Sequence, residues 1–201
     1  MTINILRRFI GLGSLAAALL VAAPMAWAQV RVEGQSFATQ MRLADSDLRL
    51  NGVGLRAVAW IKGYAAALYL PSKTSNPAQA ISAIGPKRLQ MRMLLEVPAV
   101  EFTKAITHGI TRNTAQAELP GLLERMAVFE QRVQALGTVR KGDVVDLDWL
   151  PGSGMHFSVN GVAKGAPIPG DDFYAALLKI FIGDKPVDAE LKTGLLGGPA
   201  T

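Results

Sequence analysis

The sequence predicts an α+β fold, an antiparallel sheet with a layer of helices on one face. Strand-like segments dominate the first third of the chain and return around residue 150. Helical periodicity clusters in the middle and at the end. No strand–helix–strand alternation occurs, so nothing calls for a parallel sheet. Internal repeats and interdomain linkers are also lacking in the sequence, so one domain is expected.

Residues 1–28 read as a cleavable export signal. Arg7 and Arg8 form a basic start, residues 9–23 an apolar stretch, and Ala26-Trp27-Ala28 a small-residue cleavage site before Gln29. The alternative is a membrane anchor, but the apolar run is short and ends at Pro24. A domain of residues 29–201, delivered to the periplasm by the general secretory route, is the expectation. It is 173 residues long (201 − 28), enough to bury a core. Without Arg7 and Arg8 it carries 19 basic (21 − 2) and 16 acidic side chains, net +3. With no dense basic run, this argues against nucleic acid. The chain has no cysteine, which excludes disulfides, cysteine nucleophiles and thiolate metal sites. After the signal, no apolar run approaches the length of a membrane span.

The domain opens with Val30 and Val32 in alternation, as in an edge strand over 29–40. A turn at Asp45-Ser46-Asp47 divides short strand-like pieces over 42–50. Residues 55–61 and 64–70 then form an apolar hairpin around Lys62-Gly63. Asn76-Pro77 starts a helix that stops at Gly85-Pro86. Residues 88–97 read as a core strand. Pro98 begins a helix with Phe102, Ile106 and Ile110 on one stripe, and a second helix runs over about 120–136 to Gly137. Residues 145–149 alternate strictly, which predicts a half-buried strand with Asp146 and Asp148 facing solvent. Asn160-Gly161 marks a tight hairpin. Asp171-Asp172 caps a helix carrying Phe173, Leu177 and Phe181 as far as Gly183, and a last helix starts over 186–188 and ends at Gly197-Gly198.

One guanidinium, Arg56, sits inside the apolar hairpin. A buried arginine is costly unless paired, which makes it the chief functional clue. In one reading it anchors a carboxylate or phenolate at the bottom of an apolar cleft, its planar fork suiting a bidentate acid. In the other it is structural, paired to a core Asp or Glu or reaching water along its stem. Two tyrosines are candidate partners. A two-residue turn at Lys62-Gly63 puts Tyr69 opposite Arg56 and turns Tyr64 to the other face; a bulge or a longer turn reverses this. The two histidines, His108 and His156, have no neighbour at metal spacing, so no metal site is expected. Gly52-x-Gly54 and Gly152-Ser153-Gly154 read as turns, and neither meets a phosphate-loop pattern. Met91, Met93 and Met126 read as core, though methionine also suits a wall that accommodates varied acyl chains.

Arg56 shortly after Gly-x-Gly, followed by an aromatic strand ending Leu-Tyr-Leu, resembles the signature hairpin of chalcone isomerase-fold proteins. The segment DDFYAALLKIFIGDKPVDAELKTGLLG is similar to that family's paired C-terminal helices. The match is best to its small secreted bacterial branch and spans roughly residues 30–198. The resemblance implies an antiparallel sheet with helices on one face and a ligand cleft between the layers. Arg56 matches the arginine that grips the ligand in both the isomerases and their fatty-acid-binding relatives. Tyr64 matches the tyrosine that helps hold the carboxylate in the latter. The family's catalytic tyrosine falls at or near Phe102, its active-site asparagine near Gly109 beside His108, and its late hydroxyl residue at Ile180. Asn113 lies one helical turn beyond Gly109. Of the catalytic set only the arginine is kept, and an enzyme without its donors keeps binding and loses turnover.

The sequence reading is therefore a periplasmic, non-catalytic protein that holds an amphiphilic or aromatic acid, such as a fatty acid. Arg56 and Tyr64 grip the head, with Tyr69 in reserve. Phe102, Ile106, Phe173, Leu177 and Phe181 supply cleft wall. No cofactor or metal is expected. An isomerase acting on a phenolic substrate, and an interaction protein with a closed cleft, are the alternatives.

Overall fold

The computed structural model describes residues 28–199. The export signal before Ala28 lies outside the described residues. Strands β1 (Gln29–Val32) and β2 (Gln35–Ala38) pair with each other. They form a separate hairpin rather than an edge of the main sheet. Its Phe37 is fully buried with Leu48, Leu50 and Val53 on one face of that sheet.

The main sheet holds β3 (Gln40–Leu43), β4 (Ser46–Val58), β5 (Ile61–Leu70), β6 (Lys87–Met93), β9 (Val144–Leu150), β10 (Gly154–Val159) and β11 (Val162–Ala163). Its order is β11-β10-β9-β6-β5-β4-β3, and every neighbouring pair is antiparallel. Two short strands, β7 (Val97–Pro98) and β8 (Thr138–Val139), pair beside it. The helices are α1 (Pro77–Ser82), α2 (Ala99–Asn113), α3 (Leu123–Gln134), α4 (Asp171–Ile182) and α5 (Ala189–Leu195). A 3-10 turn, Leu119–Leu122, leads into α3. The predicted α+β arrangement is the observed one. The larger core lies between sheet and helices, where Leu68, Leu89, Met91 and Leu147 meet Phe129, Leu177 and Leu191. No described helix is long and apolar enough to cross a membrane.

Local signals fix the starts of α1 and α5, whereas the expected Asp171-Asp172 cap of α4 does not form: Gly170 precedes that helix without a side-chain cap, and both aspartates lie in its first turn. The Asn76 side chain accepts from the Gln79 amide with Pro77 in the first turn, and Asp188 accepts from the amides of Glu190 and Leu191. Asn160 and Gly161, both at positive φ, make the two-residue turn between β10 and β11.

Four further expectations change. The β4–β5 hairpin turns at Ala59-Trp60, because Val58 pairs with Ile61 and the ladder continues to the tip. The strand expected over 88–97 ends at Met93. Gly52 and Gly54 are no turn; they lie inside β4, where α5 rests on them. Asp146 and Asp148 do not face solvent. Both are buried, because Arg88 stands opposite Asp148 on β6 and spans its carboxylate, donating from Nε and Nη2 at 2.6 and 2.5 Å. Gln90 donates to Asp146 at 2.8 Å.

Asp143, in the turn before β9, gives a pH test. Its carboxylate accepts from the Asn160 amide and the Arg140 backbone N–H, and these bonds hold its pKa below the ordinary value of 3.8. A depressed folded pKa contributes stability that is present above 3.8 and lost as pH falls through the folded value. Asp143→Ala should therefore flatten the acid limb of the stability profile below that pH, read by denaturant melts across pH.

Candidate functional site

The sheet and the helical layer enclose a cavity of about 450 Å³, within the range of ordinary small-molecule sites. Its far wall is apolar and deeply buried, with Phe129, Val133, Leu147 and Phe157 among the lining residues. Val58 and Ile61 of the β4–β5 tip, with Val97 and Phe102, line the side that reaches solvent.

Polar groups enter in one region. A register shift between Arg56 and Ala57 sets Arg56 directly opposite Tyr64, and both side chains line the cavity. The shift is the bulge that the bare two-residue-turn geometry left open, and it brings together the pair matched by the family resemblance. Tyr69 goes elsewhere. It stands opposite Leu50, is buried with Phe37 and Leu48 on the other face, and does not reach the cavity. The turn at Ala59-Trp60 carries Tyr69 away from Arg56, and the bulge, resetting the one-residue alternation, brings Tyr64 opposite it.

Arg56 is itself paired. Its Nη1 donates to Asp188 Oδ2 at 3.2 Å and to the Ala57 carbonyl at 2.6 Å. Among the described residues no acceptor meets Nε or Nη2, so one edge of the guanidinium fork is uncommitted. The side chain is 24% exposed. It therefore lies at the solvent-reachable end of the cavity, not at the bottom as expected.

Asp188 is the residue that the sequence reading missed. It caps α5 through Oδ1 and holds Arg56 through Oδ2. Its place depends on glycines. A Cβ on Gly52 would stand 2.1 Å from the Gly194 carbonyl oxygen, and one on Gly54 2.9 Å from the Leu191 carbonyl oxygen. The bare backbone of β4 thus lets α5 lie directly on the strand, and the start of that helix arrives beside Arg56. Gly52-x-Gly54 followed by a late Gly194 was the available signal.

Tyr64 is half-buried. Desolvation pushes its phenol well above the ordinary value, against the pull of Arg56. It is a neutral hydroxyl throughout the physiological range and, among the described residues, has no hydrogen-bond partner. Burial likewise raises Tyr69, to about 12. Glu101 also lines the cavity but pairs with Lys104 at 2.8 Å.

Of the expected wall residues, Phe102, Ile106, Leu177 and Phe181 line the cavity, and Met91 joins them. Phe173 does not. It lies two turns earlier on α4 than Phe181, fully buried against the edge of the Phe129 ring. The positions matched to the isomerases' donors are apolar or engaged. Phe102 and Ile180 are hydrocarbon wall, and Gly109 lies against Ile180. Asn113 donates to the carbonyls of Gly109 and Lys185, pinning the end of α2. Neither histidine lines the cavity; His156 contacts Ser153 at 2.8 Å on the exposed β9–β10 turn. No metal-holding group of His, Cys, Asp and Glu occurs among the described residues.

Comparisons with known proteins bear on the fold and the family. The crystal structure of a fatty-acid binding protein from Arabidopsis thaliana superposes with a TM-score of 0.66 at 16% identity, covering 84% of this chain and 96% of that one. At that identity the likeness is one of fold. No curated protein sequence matches the chain. A sequence profile described as chalcone isomerase-like matches residues 29–197. With nearly the whole described chain covered, the protein belongs to the chalcone isomerase-like family.

Proposed function

We propose that this protein is a non-catalytic, periplasmic binding protein for an apolar acid, a fatty acid or a similar amphiphile. Residues 1–28 serve as its cleaved export signal. The observation that carries the reading is the cavity, hydrocarbon on nearly all sides, with the free edge of Arg56 and the unpartnered Tyr64 hydroxyl facing each other at its open end. A carboxylate there accepts from the guanidinium edge and from the neutral phenol. The chain behind it lies along Phe129, Phe157 and Phe181. Having the polar pair at the solvent-reachable end suits an amphiphile that enters tail first. The fatty-acid binding function of the plant protein of this fold supports the reading.

The isomerase alternative needs donors that polarise a ketone and position water. The cavity wall offers hydrocarbon at Phe102 and Ile180, which supports binding over turnover. The closed-cleft alternative is countered by the cavity itself.

Tyr64→Phe tests the site. It removes one hydrogen bond and keeps the ring, so dodecanoic acid affinity should fall about 5- to 10-fold with little change in melting temperature. Isothermal titration against unsubstituted protein reads this. Unchanged affinity would place the head group away from Tyr64.

A further inference from the structure

The β4–β5 tip is an unusual surface. Val58 is 59% exposed, Trp60 87% and Ile61 53%. Hairpin tips are ordinarily Gly, Asn or Asp, which suit the positive φ of such turns. Here Ala59 takes φ 51° with Trp60 beside it. Val58 and Ile61 also line the cavity, so the apolar tip and the apolar interior form one continuous surface across the mouth. Three cations near this mouth have a carboxylate partner within the chain: Lys62 with Glu33 at 2.7 Å, Lys104 with Glu101, and Arg56, through Nη1, with Asp188.

We infer that this tip docks the protein on a lipid bilayer, with Trp60 seated at the headgroup level and the cavity mouth facing the membrane. The occupant follows from shape and charge. The patch is a turn of three exposed apolar side chains, whereas a specific protein interface takes roughly 20–30 residues a side. A bilayer asks for no complementary shape, and tryptophan favours its interfacial zone. Because Lys62, Lys104 and Arg56 each have a carboxylate partner, adsorption rests on the apolar tip and does not need anionic lipid. A ligand with an acyl tail then passes between bilayer and cavity along Val58 and Ile61 without exposing the tail to water. The inference takes its purpose from the amphiphile-binding reading, but docking itself is measured without ligand.

The test uses residues 29–201, whose described part holds the whole sheet, both core clusters and the cavity. The chain should co-float with vesicles of pure phosphatidylcholine. In a Trp149→Phe background, Trp60 emission should shift to the blue and be quenched by brominated phosphatidylcholine. Trp60→Ser should weaken partitioning ~10-fold and Trp60→Phe should retain most of it. Phosphatidylglycerol or high salt should change binding by less than ~3-fold. Arg56→Ala should float like the unsubstituted chain even as it loses acid binding, which separates failure of docking from failure of the ligand reading. Four results would overturn the inference. The chain fails to float, or Trp60→Ser floats unchanged. Binding requires phosphatidylglycerol and disappears in salt. Or Trp60 emission is already blue-shifted without vesicles in a species of dimeric mass, which makes a second copy the occupant.

Discussion

Arg56→Ala should lower affinity for a fatty acid by about 10- to 100-fold, the worth of hydrogen bonds to a charged group, with the fold intact. The fold survives because the arginine's structural partner does not depend on it. Asp188 keeps its capping bonds to Glu190 and Leu191, and its side chain is 14% exposed, so water can take over Oδ2. Arg56→Lys keeps the charge and loses the fork, and should fall between the two. Displacement of a fluorescent fatty acid measures affinity, and a thermal melt measures the fold. Should Arg56→Ala unfold the domain, its bond to Asp188 is structural and the anchoring role fails.

Gly52→Ala should destabilise the domain by ~3 kcal/mol or more, a fall in melting temperature of roughly 6–12 °C. The new methyl would stand 2.1 Å from the Gly194 carbonyl oxygen and 2.7 Å from the Gly197 nitrogen and the Leu195 carbonyl oxygen, all backbone atoms that no rotamer change can move. Helix α5 has to lift. It carries Leu191 and Leu195 out of the core and Asp188 away from Arg56, so ligand affinity should fall with stability. Gly121→Ala, where nothing lies within 4 Å of the added Cβ, is the control and should be near neutral. Equal melts for the two variants would mean that α5 is not seated on the β4 backbone.

These two residues show what the sequence could and could not disclose. Arg56 was legible because it breaks a local rule, a charge inside an apolar strand, and Tyr64 because the family motif carries it. The helices carrying Phe102, Ile106, Leu177 and Phe181 were legible because their apolar stripes are written locally. What stayed hidden is long-range. The tip at Ala59-Trp60 displaced the expected Lys62-Gly63 turn because cross-strand pairing of Val58 with Ile61 outweighed the preference of glycine for turns. Gly52 and Gly54 looked like punctuation and are a seat for a helix some 140 residues later in the chain. The alternation of Asp146 and Asp148 correctly put them on one face. It could not show that Arg88, 60 residues away, would lie across that face and bury them.

The most direct measurement is native mass spectrometry of the protein purified after expression of the full chain, followed by denaturing extraction and lipid analysis, beside Arg56→Ala treated identically. A protein that starts at Gln29 and carries one fatty acid or similar amphiphile, with the Arg56→Ala chain folded and ligand-free, is the predicted result. A ligand held equally well by Arg56→Ala, or an unliganded protein that converts a chalcone faster than the spontaneous reaction, would contradict the account.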